Sequence, residues 1–218
     1  MPELSFTVVE VVPEPYAVTP NLLARLRVEE TTGERVHALA LRAQVRIEPQ
    51  RRRYDDAEEQ ALLDLFGDRT RFAQTLKPFA WLHTSTVAQG FTGSTEIDLV
   101  LPCTYDVEVS GTKYLNGLRD GDIPLLFLFS GTVFCRGTTG FSVTQVPWDL
   151  EARFPMPVAV WRDLMEQNFP GTQWVRMRRD TVDALAHFRH VRGLTSWDEA
   201  VTTLLDDALD PVGERERS

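Results

Sequence analysis

Ile97-Asp98-Leu99-Val100-Leu101-Pro102-Cys103-Thr104-Tyr105-Asp106-Val107-Glu108-Val109 is the stretch that decides how this chain is read. Its odd positions, Ile97 through Val109, are apolar or aromatic, and its even positions are mostly polar. A period of two with one apolar face is what a half-buried strand requires. Asn116-Gly117-Leu118-Arg119-Asp120-Gly121-Asp122 follows, a loop dense in turn formers. Ile123-Pro124-Leu125-Leu126-Phe127-Leu128-Phe129 is then apolar on both faces, the pattern of a strand flanked and covered on both sides. The spacing predicts two long strands between Ile97 and Cys135 that form a central hairpin.

Working upstream, Leu4, Phe6 and Val8 alternate with more polar neighbours and give a first strand, broken at Val12-Pro13-Glu14-Pro15. Leu22, Ala24, Leu26 and Val28 mark a second strand, and Leu39, Leu41, Ala43, Val45 and Ile47 a third. Thr31-Thr32-Gly33-Glu34 between them reads as a hairpin turn, and short connections favour antiparallel pairing. Asp56 and Glu59 are spaced as a capping box for a short helix through Leu62, Leu63, Leu65 and Phe66, which Gly67 ends. Trp81 to Val87 is a further strand candidate, with a turn at Gln89 to Gly93.

Downstream, Phe141 to Trp148 is the last strand expected. Around Pro155 the period changes. Val158, Trp161, Leu164 and Met165 recur at helical spacing after Pro157, and Pro170-Gly171 stops them. Asp180 opens a second helix with Val182, Leu185 and Phe188 on one side, ended by Gly193. Ser196 and Glu199 form a capping box for a third, carrying Trp197, Ala200, Val201, Leu204 and Leu205. Strands first and helices last define an α+β chain. The expectation is a mainly antiparallel β-sandwich over residues 1–150, with a C-terminal helical subdomain. The division expected is a sandwich with one inserted helix at 1–154, a helical subdomain packed on it at 155–210, and a flexible tail at 211–218.

The 218 residues are 43% hydrophobic and carry a formal net charge of −9. Nucleic-acid binders usually show a basic face, whereas the one basic run here, Arg51-Arg52-Arg53, is followed at once by Asp55, Asp56, Glu58 and Glu59. Nucleic acid is therefore not an expected partner. No stretch is long and apolar enough to span a membrane, and the N-terminus lacks signal-peptide texture, so a cytoplasmic location is expected. Cys103 and Cys135 are expected to be reduced core residues.

The chemistry-bearing residues do not assemble into a familiar motif. His187 and His190 share a helix face, but Arg189 and Arg192 flank them and no further ligand is marked, so no metal is expected. Ser130 in Phe129-Ser130-Gly131-Thr132 is not the Gly-x-Ser-x-Gly elbow. Ser130-Gly131 reads as a bulge or a point of close backbone approach within a continuing strand. Cys103 has no nearby histidine to lower its pKa. Asp106, Glu108, Asp120 and Asp122 do not match a calcium loop, and there is no phosphate-binding glycine loop, so no cofactor is expected. Five tryptophans remain: Trp81, Trp148, Trp161, Trp174 and Trp197. Most should join helices to sheet, and some should mark a contact surface.

Leu101-Pro102-Cys103-Thr104-Tyr105-Asp106-Val107-Glu108-Val109, Lys113-Tyr114, Asp122 through Phe134, Val146-Pro147-Trp148 and Pro157 through Arg162 together resemble an uncharacterised bacterial domain-of-unknown-function family. Its members are associated with gene neighbourhoods of uptake nickel–iron hydrogenases. The resemblance implies an accessory or assembly role, with a hydrogenase subunit or maturation factor as partner.

Two classes of function follow. The first is a non-enzymatic protein-binding module that uses Tyr105, Lys113, Tyr114, Trp148 and Trp161 beside the central hairpin, with no catalytic residue. The second is a hydrolase or transferase using Asp106, Glu108 or Asp122 as acid and base. A sandwich binding a small ligand or carbohydrate on an aromatic platform is a third reading.

Overall fold

The computed structural model describes residues 2–103, 109–137, 140–172 and 177–209. Eight strands form two antiparallel sheets among these residues. Sheet A has the order β1 (Leu4–Pro13), β2 (Asn21–Glu30), β5 (Ser94–Pro102). Sheet B has the order β4 (Phe79–Phe91), β3 (Val36–Ile47), β6 (Asp122–Gly137), β7 (Gly140–Gln145), and β8 (Glu151–Pro157) pairs with the other half of β6. The α+β reading and the antiparallel, sandwich-like arrangement therefore hold.

The alternating positions do what their period demands. Leu22, Ala24, Leu26 and Val28 of β2, Leu39, Leu41, Ala43, Val45 and Ile47 of β3, and Leu99 and Leu101 of β5 are all buried. The layers meet through them and through aromatic contacts: the rings of Phe6 on β1 and Phe129 on β6 lie 4.5 Å apart. β6 is central in its sheet, as its apolar run implied, with β3 on one side and β7 and β8 on the other.

The expected central hairpin does not form. β5 pairs with β2 in sheet A, and β6 pairs with β3 in sheet B. The first strand ends at Pro102, and Val109–Asn116 is a helix, α4, instead of its continuation. Proline cannot donate to a ladder, which ends the strand. Tyr114, Leu115 and Leu118 are then buried at helical spacing. The turn after Glu30 is likewise a crossing between sheets and not a hairpin, because β2 and β3 have no ladder in common.

The inserted helix is two short ones, α1 (Asp56–Ala61) and α2 (Leu63–Phe66), with α3 (Phe72–Thr75) after them. Its capping box lies one residue earlier than expected: the Asp55 carboxylate accepts from the Glu58 amide, and Glu58 reaches back to the Asp55 amide. Leu62, Phe66, Tyr114, Leu115 and Leu118 join the core where β3 ends and β6 begins.

α5 (Val158–Asn168) belongs to the same compact unit as the strands, which spans Met1–Gly171. Its Val158, Trp161 and Leu164 are core residues. The second unit, Thr172–Ser218, contains α6 (Arg179–Val191) and α7 (Trp197–Leu209). The Ser196–Glu199 capping box is present at the start of α7. Asp180 lies in the first turn of α6, but Arg178 is the cap position and makes no side-chain capping bond. Trp174, the expected tail at 211–218, Tyr105, Asp106 and Glu108 lie outside the described residues. No helix among the described residues is long and apolar enough to cross a membrane.

Candidate functional site

The outward face of sheet B carries a row of polar side chains from three adjacent strands. β3 turns Arg42, Gln44 and Arg46 away from the core, two residues apart, while Leu41, Ala43 and Val45 point inward. Register sets their neighbours. Arg42 lies opposite Ser85 of β4 and Ser130 of β6, and Gln44 lies opposite His83 and Leu128. The Gln44 amide nitrogen is 3.1 Å from His83 Nε2. With the amide donating, that ring nitrogen accepts and the ring proton sits on Nδ1. Arg42, Gln44, His83, Ser85, Leu128 and Ser130 border an open depression of about 640 Å³.

Gly131 shapes this surface. A Cβ there would stand 2.1 Å from the Ala40 carbonyl oxygen, so β3 and β6 approach in a way only glycine permits. The close backbone approach expected at Ser130-Gly131 is thus present, and the strand continues through it to Gly137. At the same point the partner strand of β6 changes from β7 to β8. Val146 N–H donates to Gly131 O at 2.9 Å and Phe129 N–H to Leu150 O at 3.0 Å, which pins the turn between them to the edge beside Ser130. Trp148, 91% exposed, is in that turn.

The residues expected to form a binding surface are scattered by the structure. Tyr114 is 0% exposed; its hydroxyl is 3.0 Å from that of Tyr54, and its ring packs edge-on against Phe66 and Phe79. Trp161 is 3% exposed, donates from Nε1 to Asn116 Oδ1 at 2.8 Å, and meets Trp81 edge to face. Both serve the core and present nothing to a partner. The alternation had placed them beside a hairpin that does not form. Lys113 is half-exposed and pairs with Asp64 at 2.7 Å. Trp148 alone of the described candidates is a surface aromatic. Arg42, Gln44, His83, Ser85 and Ser130 were not grouped by sequence reasoning, because only strand register brings them together.

A second depression, about 560 Å³, lies beside Arg52, Glu58, Asp120 and Asp122. Glu58 is 3% exposed and accepts from Arg52 Nη2 at 2.7 and 2.8 Å and from the Arg119 amide at 2.7 Å. Arg52 also donates to the carbonyls of Asp120 and Asp122. The cluster ties the start of α1 to the loop before β6. Asp120 and Asp122 point into solvent.

Other reactive groups are subdued or dispersed. Burial pushes the Cys103 thiol up to about 12, so it stays protonated and poorly nucleophilic near neutrality. Cys103 follows the strand that pairs with the first residues of β2, whereas Cys135 lies opposite Val36, just past the far end of β2. Ten strand residues separate those ends by roughly 30 Å, far beyond disulfide reach. Both cysteines are free. His187 and His190 are exposed on α6. Among the described residues no three His, Cys, Asp or Glu side chains converge as a metal site would need.

The model of a family described as "Family of unknown function (DUF6084)" matches residues 1–212. No curated protein matches the chain. Among solved structures, β-glucosidase 3B from Thermotoga neapolitana in complex with α-D-glucose is 13% identical with a TM-score of 0.26, over 71% of this chain and 17% of that one. A β-glucosidase from Kluyveromyces marxianus is 8% identical with a TM-score of 0.28, over 71% of this chain and 15% of that one. The chain spans less than a fifth of the length of these enzymes.

Proposed function

We propose, from the premise that the chain belongs to the family of unknown function DUF6084, that it is a non-enzymatic protein-binding module with an accessory or assembly role. Its binding surface is the outward face of sheet B. The observation that carries this reading is Trp148, 91% exposed in a turn that backbone hydrogen bonds fasten beside Ser130. An indole left in water forgoes a large burial gain that a partner can supply, and tryptophan dominates interface hot spots. The neighbouring ladder gives a rigid polar floor of Arg42, Gln44, His83, Ser85 and Ser130.

The partner proposed is a subunit or maturation factor of an uptake nickel–iron hydrogenase, in the cytoplasm. The sequence resemblance supports that part of the reading. Affinity purification of the tagged chain from its host tests it. A hydrogenase subunit or maturation factor should co-elute with the wild type and be lost with Trp148→Ala. Co-elution of nothing, or of the same proteins with the variant, refutes it.

A small-ligand or carbohydrate reading has one observation in its favour: an exposed indole beside hydroxyl, amide and imidazole groups. A thermal-shift screen over monosaccharides and oligosaccharides separates the two, since a ligand that binds only the native state raises the melting temperature.

A further inference from the structure

The arginines of the two sheets are treated differently. On sheet A, Arg25 pairs with Glu10 and Asp98, and Arg27 pairs with Glu96, each across a strand boundary. On sheet B, Arg42 has no carboxylate partner among the described residues. The sequence of the neighbouring strands explains this. β4 contains no Asp, Glu, Lys or Arg at all. β6 contains only Asp122 and Arg136, one at each end. Every position facing Arg42 is therefore neutral: Ser85 and Ser130 on its own rung, His83 with Gln44 and Leu128 on the next, and Val87 with Ala40 and Thr132 on the other side. Arg46, further along the same face, donates to the Pro78 carbonyl and keeps its Nε–H without an acceptor. In a chain of net charge −9, Arg42 stands in the middle of this face without a carboxylate partner among the described residues; the acids nearest on this side of the sheet, Glu151 in register with Leu128 and Asp149 beside Trp148, lie beyond β6, and Glu151 is paired with Arg153.

A lone arginine in water holds a small anion weakly. This one has a second anchor. Arg42 is on β3, and the turn bearing Trp148 occupies the strand position beyond β6. Two inter-strand spacings separate them, about 10 Å. An extended peptide rises about 3.3 Å per residue and turns alternate side chains to one face, so the two anchors match same-face side chains two residues apart, about 7 Å along a segment that crosses the strands, with the long Arg42 and Trp148 side chains closing the remainder.

We propose that the outward face of sheet B receives an acidic extended segment of a protein partner, one Asp or Glu carboxylate on Arg42 and an apolar side chain two residues away, on the same face of the segment, on Trp148. The Ser85 and Ser130 hydroxyls complete the carboxylate's donors. This inference rests on the protein-binding reading above and adds the chemistry of the partner.

The test uses the full chain and fluorescein-labelled peptides of one length, measured by anisotropy. One carries Glu and Leu two residues apart, and its controls replace Glu by Gln or by Lys. The Glu peptide should bind, and more weakly as salt rises. Replacing Glu by Gln, or Arg42 by Gln, should each weaken binding about tenfold, and the two changes together should cost little more than either alone. Trp148→Ala should weaken it by a similar factor, as should moving Leu next to Glu. Arg42→Glu should reverse the preference toward the Lys peptide. Equal binding of the three peptides, binding by none, no effect of Arg42→Gln, or displacement by acetate or inorganic phosphate at low concentration would each overturn the proposal. If the partner captured from host extract is lost with Trp148→Ala but kept with Arg42→Gln, the binding module stands and its acidic specificity falls.

Discussion

Replacing Gly131 by alanine is the most direct test of how sheet B is built. The added methyl would lie 2.1 Å from the Ala40 carbonyl oxygen, where real contacts of this kind do not fall below 3.0 Å. The obstacle is backbone, so no rotamer change relieves it. β3 and β6 must part by roughly 1 Å, in the middle of the ladder that joins Val36–Ile47 to Leu125–Cys135. Overpacking of this kind costs about 1 to 3 kcal/mol. Two weakened ladder bonds add about 1 kcal/mol each, for a total of about 3 to 5 kcal/mol. A domain of this size loses about 2 to 4 °C per kcal/mol, so the melting temperature should fall by roughly 6 to 20 °C. Gly121→Ala is the control: its φ of +74° also disfavours a side chain, but nothing lies within 4 Å of the added atom. That variant should lose only about 1 to 2 kcal/mol. Calorimetry and urea titration followed by tryptophan emission measure both. A Gly131→Ala protein no less stable than Gly121→Ala would refute the close approach, and with it the placement of Ser130.

Arg52→Ala leaves Glu58 buried without its main counter-charge and should cost about 3 to 5 kcal/mol in urea, much of it restored when Glu58 is also replaced by an apolar residue. Trp161→Ala should cost about 3 to 5 kcal/mol, whereas Trp148→Ala should stay within about 0.5 kcal/mol in the same titration; near-equal losses would contradict their assigned burial. Burial raises the Cys103 thiol from 9.0 and the Tyr114 phenol from 10.0, each to about 12. The unfolded chain releases these protons first, so stability from this source is full below pH 9 and declines as pH rises toward 12. Urea midpoints across that range should show the fall, and Cys103→Ala should flatten its early part.

Much of the fold is legible in the sequence, because alternation reports burial directly. β1, β2 and β3 were found where Leu4, Leu22 and Leu39 begin their runs. Alternation is silent about which sheet a strand joins, and for that reason the turn at Gly33 and the Ile97–Cys135 region both read as hairpins. β8 is hidden because the period changes around Pro155 and Pro157 reads as the first turn of a helix. It pairs only with β6, and a strand with one free edge tolerates proline there. α4 is hidden because the alternation from Ile97 runs on through Val107 and Val109 and reads as one strand; in the helix Gly111 makes room for Trp81. The capping box slipped by one because Asp55-Asp56 and Glu58-Glu59 offer two registers of the same spacing. At the candidate site, Trp148 was visible as an aromatic outside any helical period. Arg42 was not, since its character depends on the neutrality of residues opposite it on β4 and β6, distant in sequence.

The order of strands in sheet B also governs when the protein can fold. Ile47 waits for Leu125 and Val36 for Cys135, so each contact of that ladder closes a loop of roughly 80 to 100 residues. Such non-local pairing makes for slow folding. During synthesis the β3–β4 pair must persist with one bare edge until β6 emerges, a window in which other chains compete for it. That edge is covered only once β6 has been made.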